Sequence, residues 1–155
     1  MNTEANPIDK TIYDKLSNFC AYQERCVSDV KEKMRKLKVE KQDYDGYIEK
    51  LKDSNFLNEE RFVKYYVSAH AKKKWGKTKM KSALGAKRID SSLIKTYLDD
   101  MDEGDYDEQI KTIAEKQWNT IKAKTPRDKK TKMLRFLLSK GYEMSKALSA
   151  IKDFK

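Results

Sequence analysis

Apolar residues recur along the chain at intervals of three and four, the spacing that places side chains on one face of an α-helix. In a first segment, from about residue 11 to 25, Ile12 and Leu16 belong to such a face. Val30 and Met34 begin the next amphipathic segment, and later segments repeat the pattern. Only five glycines and two prolines interrupt it, which argues against a sheet-rich fold with many turns. The pattern predicts an all-α protein.

The helical pattern itself recurs with a period of about 50 residues, which indicates internal repeats. Ser28, Thr78 and Thr131 occupy corresponding positions when the sequence is aligned with itself. Apolar positions agree in the same alignment, in the sets Val30/Met80/Met133, Met34/Leu84/Leu137 and Ile48/Leu98/Ile151. Each copy has the pattern of one long helix followed by two shorter ones, a unit too small to bury its apolar faces alone.

These copies predict three tandem three-helix repeats, over residues 11–54, 55–103 and 104–155. The polar residues 1–10 are predicted to form a disordered tail. Neighbouring repeats in such proteins are rotated by a small angle. We therefore expect an elongated, curved array.

Local signals predict where several helices begin and end. Asn58 before two glutamates is typical of a helix start, because its side chain accepts hydrogen bonds from free backbone N–H groups and acids suit the positive end of the dipole. Thr125 before Pro126 predicts another start. Gly76 predicts a stop or sharp bend. The buried face of the helix that begins near Asn58 is predicted to carry Phe62, Tyr65, Tyr66 and Ala69.

Gly141 occupies a predicted helix C-terminus, where a residue with positive φ is favoured. The repeat alignment places Lys38 and Arg88 at the corresponding positions. A residue with a Cβ is disfavoured in that conformation. The sequence therefore predicts that these two helices end differently or carry strain.

Positive charge is in excess and unevenly distributed. Lys and Arg number 35 against 25 Asp and Glu, a formal net charge of +10, which favours polyanionic or acidic partners. Positions 72 to 88 hold eight basic residues and no acid. On an ideal helix Lys77, Lys81 and Arg88 share a face. The predicted binding residues are Lys72, Lys73, Lys74, Lys77, Lys81 and Arg88; the alternative is a solvated rim that covers the core.

Two side chains close to the basic segment in the sequence, Trp75 and Arg61, have two interpretations each. Trp75 either stacks on a base or packs between repeats. Arg61 is expected to form an ion pair with Glu59 or with an acid of a neighbouring repeat.

The sequence lacks the residue combinations of an enzyme or a metal site. It contains no nucleophile and base at catalytic spacing and no Gly-rich phosphate loop. Two cysteines and one histidine cannot supply a four-ligand zinc site. We therefore predict no catalysis, no metal and no cofactor. With no apolar run of membrane-spanning length and no secretory signal, we expect a cytoplasmic protein with reduced thiols.

Three features together resemble the RecX family, bacterial modulators of the recombinase RecA. The run from Phe56 to Phe62, FLNEERF, is similar to the family's leucine-rich lead into an acidic-Glu-Arg-Phe motif. The run from Trp75 to Met80, WGKTKM, is similar to its aromatic-Gly-x-x-basic-aliphatic motif. The third feature is the tandem three-helix repeat. The chain departs from the family in that only Gly141 matches the glycine often found before the residue that closes each middle helix.

The resemblance implies a negative regulator that binds the groove of the RecA filament on single-stranded DNA and limits its growth and activity, in DNA repair, recombination and the SOS response. It implies the RecA filament as partner and single-stranded DNA as a second candidate partner. We expect a monomer without membrane association. The alternative is a general nucleic-acid-binding helical module, whose effect would not require RecA. A purely structural helical adaptor would lack salt-dependent binding to polyanions.

Overall fold

The computed structural model describes residues 4–155, and this part of the chain forms α-helices and one short 3₁₀ turn, with no strand. The helices are α1 (Lys10–Tyr22), α2 (Val27–Lys36), α3 (Tyr44–Asp53), α4 (Glu59–Lys72), α5 (Lys77–Ala86), α6 (Ser91–Asp99), α7 (Glu103–Trp118), α8 (Pro126–Ser139) and α9 (Met144–Ile151). The 3₁₀ turn, Lys41–Asp43, precedes α3. The predicted all-α fold is confirmed.

Backbone contacts group the chain into two compact units. Unit 1 comprises the described residues up to Tyr65 together with residues 86–89. Unit 2 comprises residues 66–85 and 90–155. The boundaries and the curvature of the three repeats stay predictions.

The core of unit 1 is built by the apolar faces of α1, α2 and α3. Leu16, Val30, Met34 and Leu51 each have 0% of their surface exposed and belong to one cluster. Burial of such a side chain contributes roughly 1.5–3 kcal/mol. Because each of these helices is short and only marginally stable alone, this shared core holds them in place.

Asn6 and Asp9, within the predicted disordered tail, form hydrogen bonds to other residues of unit 1. Asn6 donates hydrogen bonds to the buried Asp43 carboxylate from its backbone N–H (2.6 Å) and from Nδ2 (3.0 Å). Asp9 caps α1 by accepting the N–H of Ile12 at 3.1 Å. Residues 1–3 of the predicted tail lie outside the described residues. Polar contacts of this kind leave no apolar periodicity in the sequence.

Unit 2 buries the apolar side chains that the repeat alignment predicts in its middle helices. Met80 and Leu84 of α5 and Met133 and Leu137 of α8 are all 0% exposed. These are the same repeat positions that Val30 and Met34 occupy in unit 1. The alignment therefore identified corresponding buried positions in all three middle helices.

Several helix ends follow their predicted signals. The Asn58 side chain accepts the N–H of Arg61 at 2.9 Å, at the start of α4. Thr125 caps α8, and Pro126 is the first residue of that helix. α4 ends at Lys72, before Gly76. These three predictions are confirmed.

The predicted strain at the ends of the middle helices is also confirmed. Lys38 and Arg88 both have a φ of 62°, and Gly141 has a φ of 92°. α2 and α8 end in the same pair of backbone hydrogen bonds, which is the Schellman arrangement. Two of the three positions thus hold a basic residue in the left-handed conformation that glycine adopts readily.

Replacing Lys38 with glycine is expected to raise the free energy of unfolding by about 1 kcal/mol. A residue with a Cβ loses roughly 1–2 kcal/mol in the left-handed conformation, and the greater unfolded-state freedom of glycine offsets part of the gain. Thermal unfolding followed by circular dichroism would measure the change. Lys31→Gly, at an exposed position inside α2, is the control and should lower stability by about 1 kcal/mol. A lower melting temperature for Lys38→Gly would contradict the left-handed conformation of Lys38.

Candidate functional site

The segment of residues 72–77, here called the basic turn, connects α4 to α5 within unit 2. Lys72, Lys73 and Lys74 are exposed. None of the three forms an ion pair with a carboxylate within residues 4–155. Their positive charge is therefore available to a partner.

Two glycines allow the basic turn to pack backbone to backbone against the end of α8. The N–H of Gly76 donates to the carbonyl of Lys140 at 2.7 Å, and the N–H of Thr78 donates to the carbonyl of Gly141 at 2.9 Å. A Cβ on Gly76 would lie 2.2 Å from the carbonyl carbon and oxygen of Gly141, far inside van der Waals contact. Position 76 therefore requires glycine for this approach as well as for the predicted bend.

Two buried tyrosines also hydrogen-bond the backbone of the basic turn. The Tyr142 hydroxyl donates to the carbonyl of Lys74 at 2.6 Å, and the N–H of Lys77 donates to the Tyr106 hydroxyl at 3.0 Å. Tyr106 in turn donates to the Glu143 carboxylate. Desolvation, together with this hydrogen bond, raises the pKa of Tyr106, so the hydroxyl keeps its proton and both bonds at neutral pH. Sequence reasoning missed these two tyrosines because periodicity predicts burial and not hydrogen-bond partners.

Trp75 packs within unit 2. Its ring centroid lies 4.3 Å from that of His70, whose ring stacks on Tyr66 at 3.9 Å. Lys79 Nζ lies 4.2 Å from the centroid of the Trp75 ring, a cation–π distance. These contacts all lie within the predicted repeat 55–103. They show packing inside unit 2, so stacking on a base and packing between repeats both stay predictions.

An open groove of about 580 Å³, here called the α5–α6 groove, adjoins Lys77 at the end of the basic turn. Lys77 and Lys81, one turn apart on α5, both line it. The structure thus brings these two predicted residues together. The buried side chains of Ile94 and Leu98 supply apolar lining.

Arg88 lies in unit 1 and lines a different groove. The face predicted for Lys77, Lys81 and Arg88 requires one helix that includes all three residues, whereas α5 ends at Ala86 and Arg88 has a left-handed conformation. Helical phase therefore does not apply to Arg88. The prediction that Arg88 shares a helix face with Lys77 and Lys81 is therefore wrong, because α5 ends before residue 88.

Arg61 has a structural role within unit 1. Its Nε lies 2.6 Å from the Glu24 carboxylate, and its guanidinium donates to the carbonyls of Asn55 at 3.0 Å and Phe56 at 3.3 Å. The predicted ion pair with an acid of the neighbouring repeat is confirmed. The arginine of the FLNEERF motif thus stabilises the segment that connects α3 to α4.

Within residues 4–155, neither the cysteines nor the side chains that commonly bind metals form a reactive site. Cys20 and Cys26 are free and buried, and desolvation raises the pKa of each thiol to about 11, which makes both unreactive at neutral pH. No group of three or more His, Cys, Asp and Glu side chains in the described part of the chain is arranged to hold a metal ion. Among residues 4–155, every helix is too short or too polar to cross a membrane.

Two family models match the chain. RecX, second three-helix domain, matches residues 58–98, and RecX, third three-helix domain, matches residues 105–151. The first match includes the basic turn and most of the residues that line the α5–α6 groove. The second includes the tyrosines that hydrogen-bond the basic turn.

Curated proteins similar to this chain carry the name Regulatory protein RecX. The protein from Clostridium perfringens (strain 13 / Type A) is 35% identical over 98 residues, which cover 62% of this chain and 46% of the relative. The protein from Vibrio parahaemolyticus is 32% identical over 113 residues, 71% of this chain and 72% of the relative. The chain spans about half the length of the Clostridium perfringens relatives that it matches.

Solved structures share the fold. The crystal structure of RecX from Lactobacillus salivarius superposes with a TM-score of 0.80 at 26% identity, covering 92% of this chain and 94% of that one. A second crystal structure, of regulatory protein RecX, gives a TM-score of 0.82 at 22% identity and covers 92% and 70% of the two chains. This chain therefore has a fold similar to that of RecX proteins solved by crystallography.

Proposed function

Because the chain belongs to the RecX family, we propose that it is a negative regulator of the RecA recombinase, which binds the RecA filament on single-stranded DNA and limits filament growth and activity. Similar proteins are named regulatory proteins, and RecA is the partner that the family resemblance implies. The proposal assigns the protein to the cytoplasm, to DNA repair and recombination, and to the SOS response.

The observation that carries the proposal is the positioning of the basic turn. Lys72 and Lys73 are exposed and have no carboxylate partner in residues 4–155, while the backbone beside them is held by two buried tyrosines and by the contact of Gly76 with Gly141. A backbone that is already ordered loses less conformational entropy on binding. Positive charges presented in this way suit an anionic surface of defined geometry, such as a nucleoprotein filament.

The α5–α6 groove supports a protein contact beside the basic turn. Its lining combines Ile94 and Leu98 with three lysines and two carboxylates. Asp99 pairs with Lys95 at 2.7 Å, and Glu143 accepts the hydrogen bond of Tyr106. Lys77 and Lys81 form no ion pair within residues 4–155. An apolar floor with a charged rim is the usual composition of a protein interface, whereas a bare phosphate backbone would gain nothing from the apolar part. We assign the RecA contact to this groove and contact with acidic groups or phosphates to the basic turn.

The proposal is tested by the DNA-dependent ATPase activity of the RecA protein from the same organism. Adding this protein to RecA filaments formed on single-stranded DNA should lower the rate of ATP hydrolysis, because a bound regulator limits filament growth and activity. The protein should be titrated while the amounts of RecA and DNA are held constant. No inhibition at any ratio of the two proteins would contradict the proposal.

A matched control separates this function from general binding of nucleic acid. A module without a recombinase partner would inhibit only by removing DNA, so excess single-stranded DNA would restore ATP hydrolysis. A regulator directed at RecA should still inhibit when DNA is in excess. Complete relief by added DNA would favour the general nucleic-acid-binding module.

A further inference from the structure

A groove within unit 1 lies outside the site described above. It is formed by α2, the 3₁₀ turn, α3 and residues 87–88, has a volume of about 670 Å³ and is here called the unit 1 groove. Its lining includes six cationic side chains and two carboxylates. The cations are Lys31, Arg35, Lys41, Lys52, Lys87 and Arg88.

Both carboxylates of the unit 1 groove already have partners. Glu32 forms an ion pair with Arg35 at 2.6 Å, and Glu59 accepts the N–H of Val27 at 3.1 Å. Lys87 pairs with Asp29 at 2.8 Å. The other four cations form no ion pair with any carboxylate of the described residues; they are Lys31, Lys41, Lys52 and Arg88. The groove therefore presents uncompensated positive charge from several elements at once.

Tyr44 adds an aromatic ring to this lining. It is the first residue of α3, is half-buried and packs against the hydrophobic core of unit 1, while the rest of its side chain lines the unit 1 groove. Grooves that bind single-stranded nucleic acid combine cations that follow the phosphates with aromatic rings on which bases stack. The bases of a duplex are stacked on one another, so their faces are not accessible to such a ring. The combination favours a single strand over a duplex.

The backbone conformation of Arg88 provides a matched comparison for testing its role and is not itself evidence of binding. Arg88 has a φ of 62°, a conformation that glycine would adopt without the steric cost of a Cβ. Lys38 occupies the corresponding repeat position with the same φ and does not line the groove. A basic residue at a helix C-terminus also interacts favourably with the helix dipole, and this effect applies equally to both positions. Comparing the effects of glycine substitutions at positions 88 and 38 on affinity therefore isolates any role of the Arg88 side chain in binding.

We propose that the unit 1 groove binds the backbone of single-stranded nucleic acid, with Lys31, Lys41, Lys52 and Arg88 contacting phosphates and Tyr44 stacking on a base. This inference goes beyond the proposed function, because it concerns a different groove and needs no recombinase.

The test uses the full chain and a fluorescently labelled oligothymidine, with binding followed by fluorescence anisotropy over a range of salt concentrations. In the variant Lys31→Glu/Lys41→Glu/Lys52→Glu, three phosphate contacts are lost. The negative slope of log K against log salt should then become shallower by about 2, since each contact on a single strand contributes about 0.7 to its magnitude. Affinity at low salt should fall by about tenfold or more. An unchanged slope would overturn the proposal.

The matched control is Lys10→Glu/Lys15→Glu/Lys64→Glu, which makes the same change in net charge at exposed lysines of unit 1 that do not line the groove. Its affinity should stay within about twofold of the wild type, because long-range attraction is screened by salt. Equal losses in both triple variants would assign the effect to net charge and overturn the groove as the site.

A second pair of variants guards against loss of folding. Arg88→Gly and Lys38→Gly should both raise the melting temperature by relieving the left-handed conformation, but only Arg88→Gly should weaken oligothymidine binding. Unchanged affinity in Arg88→Gly would count against the proposal.

Competition with polyglutamate tests the class of ligand. Weak competition at equal charge concentration is expected if base stacking on Tyr44 contributes. Competition as strong as that of unlabelled oligothymidine would show a site for acidic protein segments and overturn the assignment to nucleic acid. Because no recombinase is present in these assays, their outcome is independent of the ATPase test.

Discussion

Replacing Gly76 with alanine should destabilise unit 2 by about 3 kcal/mol or more. Overpacking costs about 1–3 kcal/mol when side chains can move aside. Here the added methyl group would meet backbone atoms, since a Cβ at this position lies 2.2 Å from the carbonyl of Gly141 and 2.3 Å from the N of Tyr142. Relief requires separating the basic turn from the end of α8, which breaks the hydrogen bond from Gly76 to Lys140. Urea unfolding followed by circular dichroism would measure the loss.

Glycine to alanine at position 85 is the control, and it should change the free energy of unfolding in the opposite direction. Gly85 lies within α5, and a Cβ there would meet no atom within 4 Å. Alanine is favoured over glycine inside a helix by about 0.5–1 kcal/mol, so Gly85→Ala should raise the free energy of unfolding. Similar small effects of both substitutions would show that the basic turn does not approach α8 this closely in solution.

Features that depend on local chemistry could be predicted from the sequence. The 3.6-residue period of apolar positions predicts helices, and the repeat alignment predicts which middle-helix positions are buried. Cap residues such as Asn58 and Thr125 accept hydrogen bonds from backbone N–H groups two or three residues later. Their roles can therefore be predicted from the adjacent sequence.

The phase of α4 was predicted only in part. Phe62 and Tyr66 are buried as predicted, but Tyr65 is 47% exposed, while Val63 and Val67 are buried. A helix carrying apolar residues at 62, 63, 65, 66 and 67 offers two overlapping apolar faces. Periodicity does not choose between them, and the choice depends on what packs against the helix.

The contacts that position the basic turn could not be predicted, because they join distant parts of the chain. Tyr106 bonds a residue 29 positions away, and Tyr142 bonds one 68 positions away. Apolar spacing predicts that such tyrosines are buried and does not specify the partner of each hydroxyl. Similarly, Gly76 predicts a bend, but its close approach to Gly141 is visible only in three dimensions.

Reversing the charge of Lys72, Lys73 and Lys81 to glutamate should weaken binding to the RecA filament by about tenfold or more at low salt. Exposed ion pairs contribute up to about 1 kcal/mol each, and 1.4 kcal/mol is a factor of ten in affinity. The salt dependence of binding should also flatten, because fewer counterions are released. All three lysines are exposed and form no ion pair within residues 4–155, so thermal stability should stay close to that of the wild type.

The control for this variant is Lys111→Glu/Lys116→Glu/Lys124→Glu, which changes the same net charge at exposed lysines of unit 2 away from the basic turn and the α5–α6 groove. It should inhibit the RecA ATPase nearly as the wild type does, whereas the Lys72/Lys73/Lys81 variant should require much more protein for the same inhibition. If the control loses inhibition and the Lys72/Lys73/Lys81 variant keeps it, the filament contact lies elsewhere on the protein.

Because the unit 1 groove is intact in the Lys72/Lys73/Lys81 variant, we expect that variant to bind oligothymidine with nearly unchanged affinity. A parallel loss of oligothymidine binding would mean that the basic turn, and not the unit 1 groove, is the principal contact with nucleic acid.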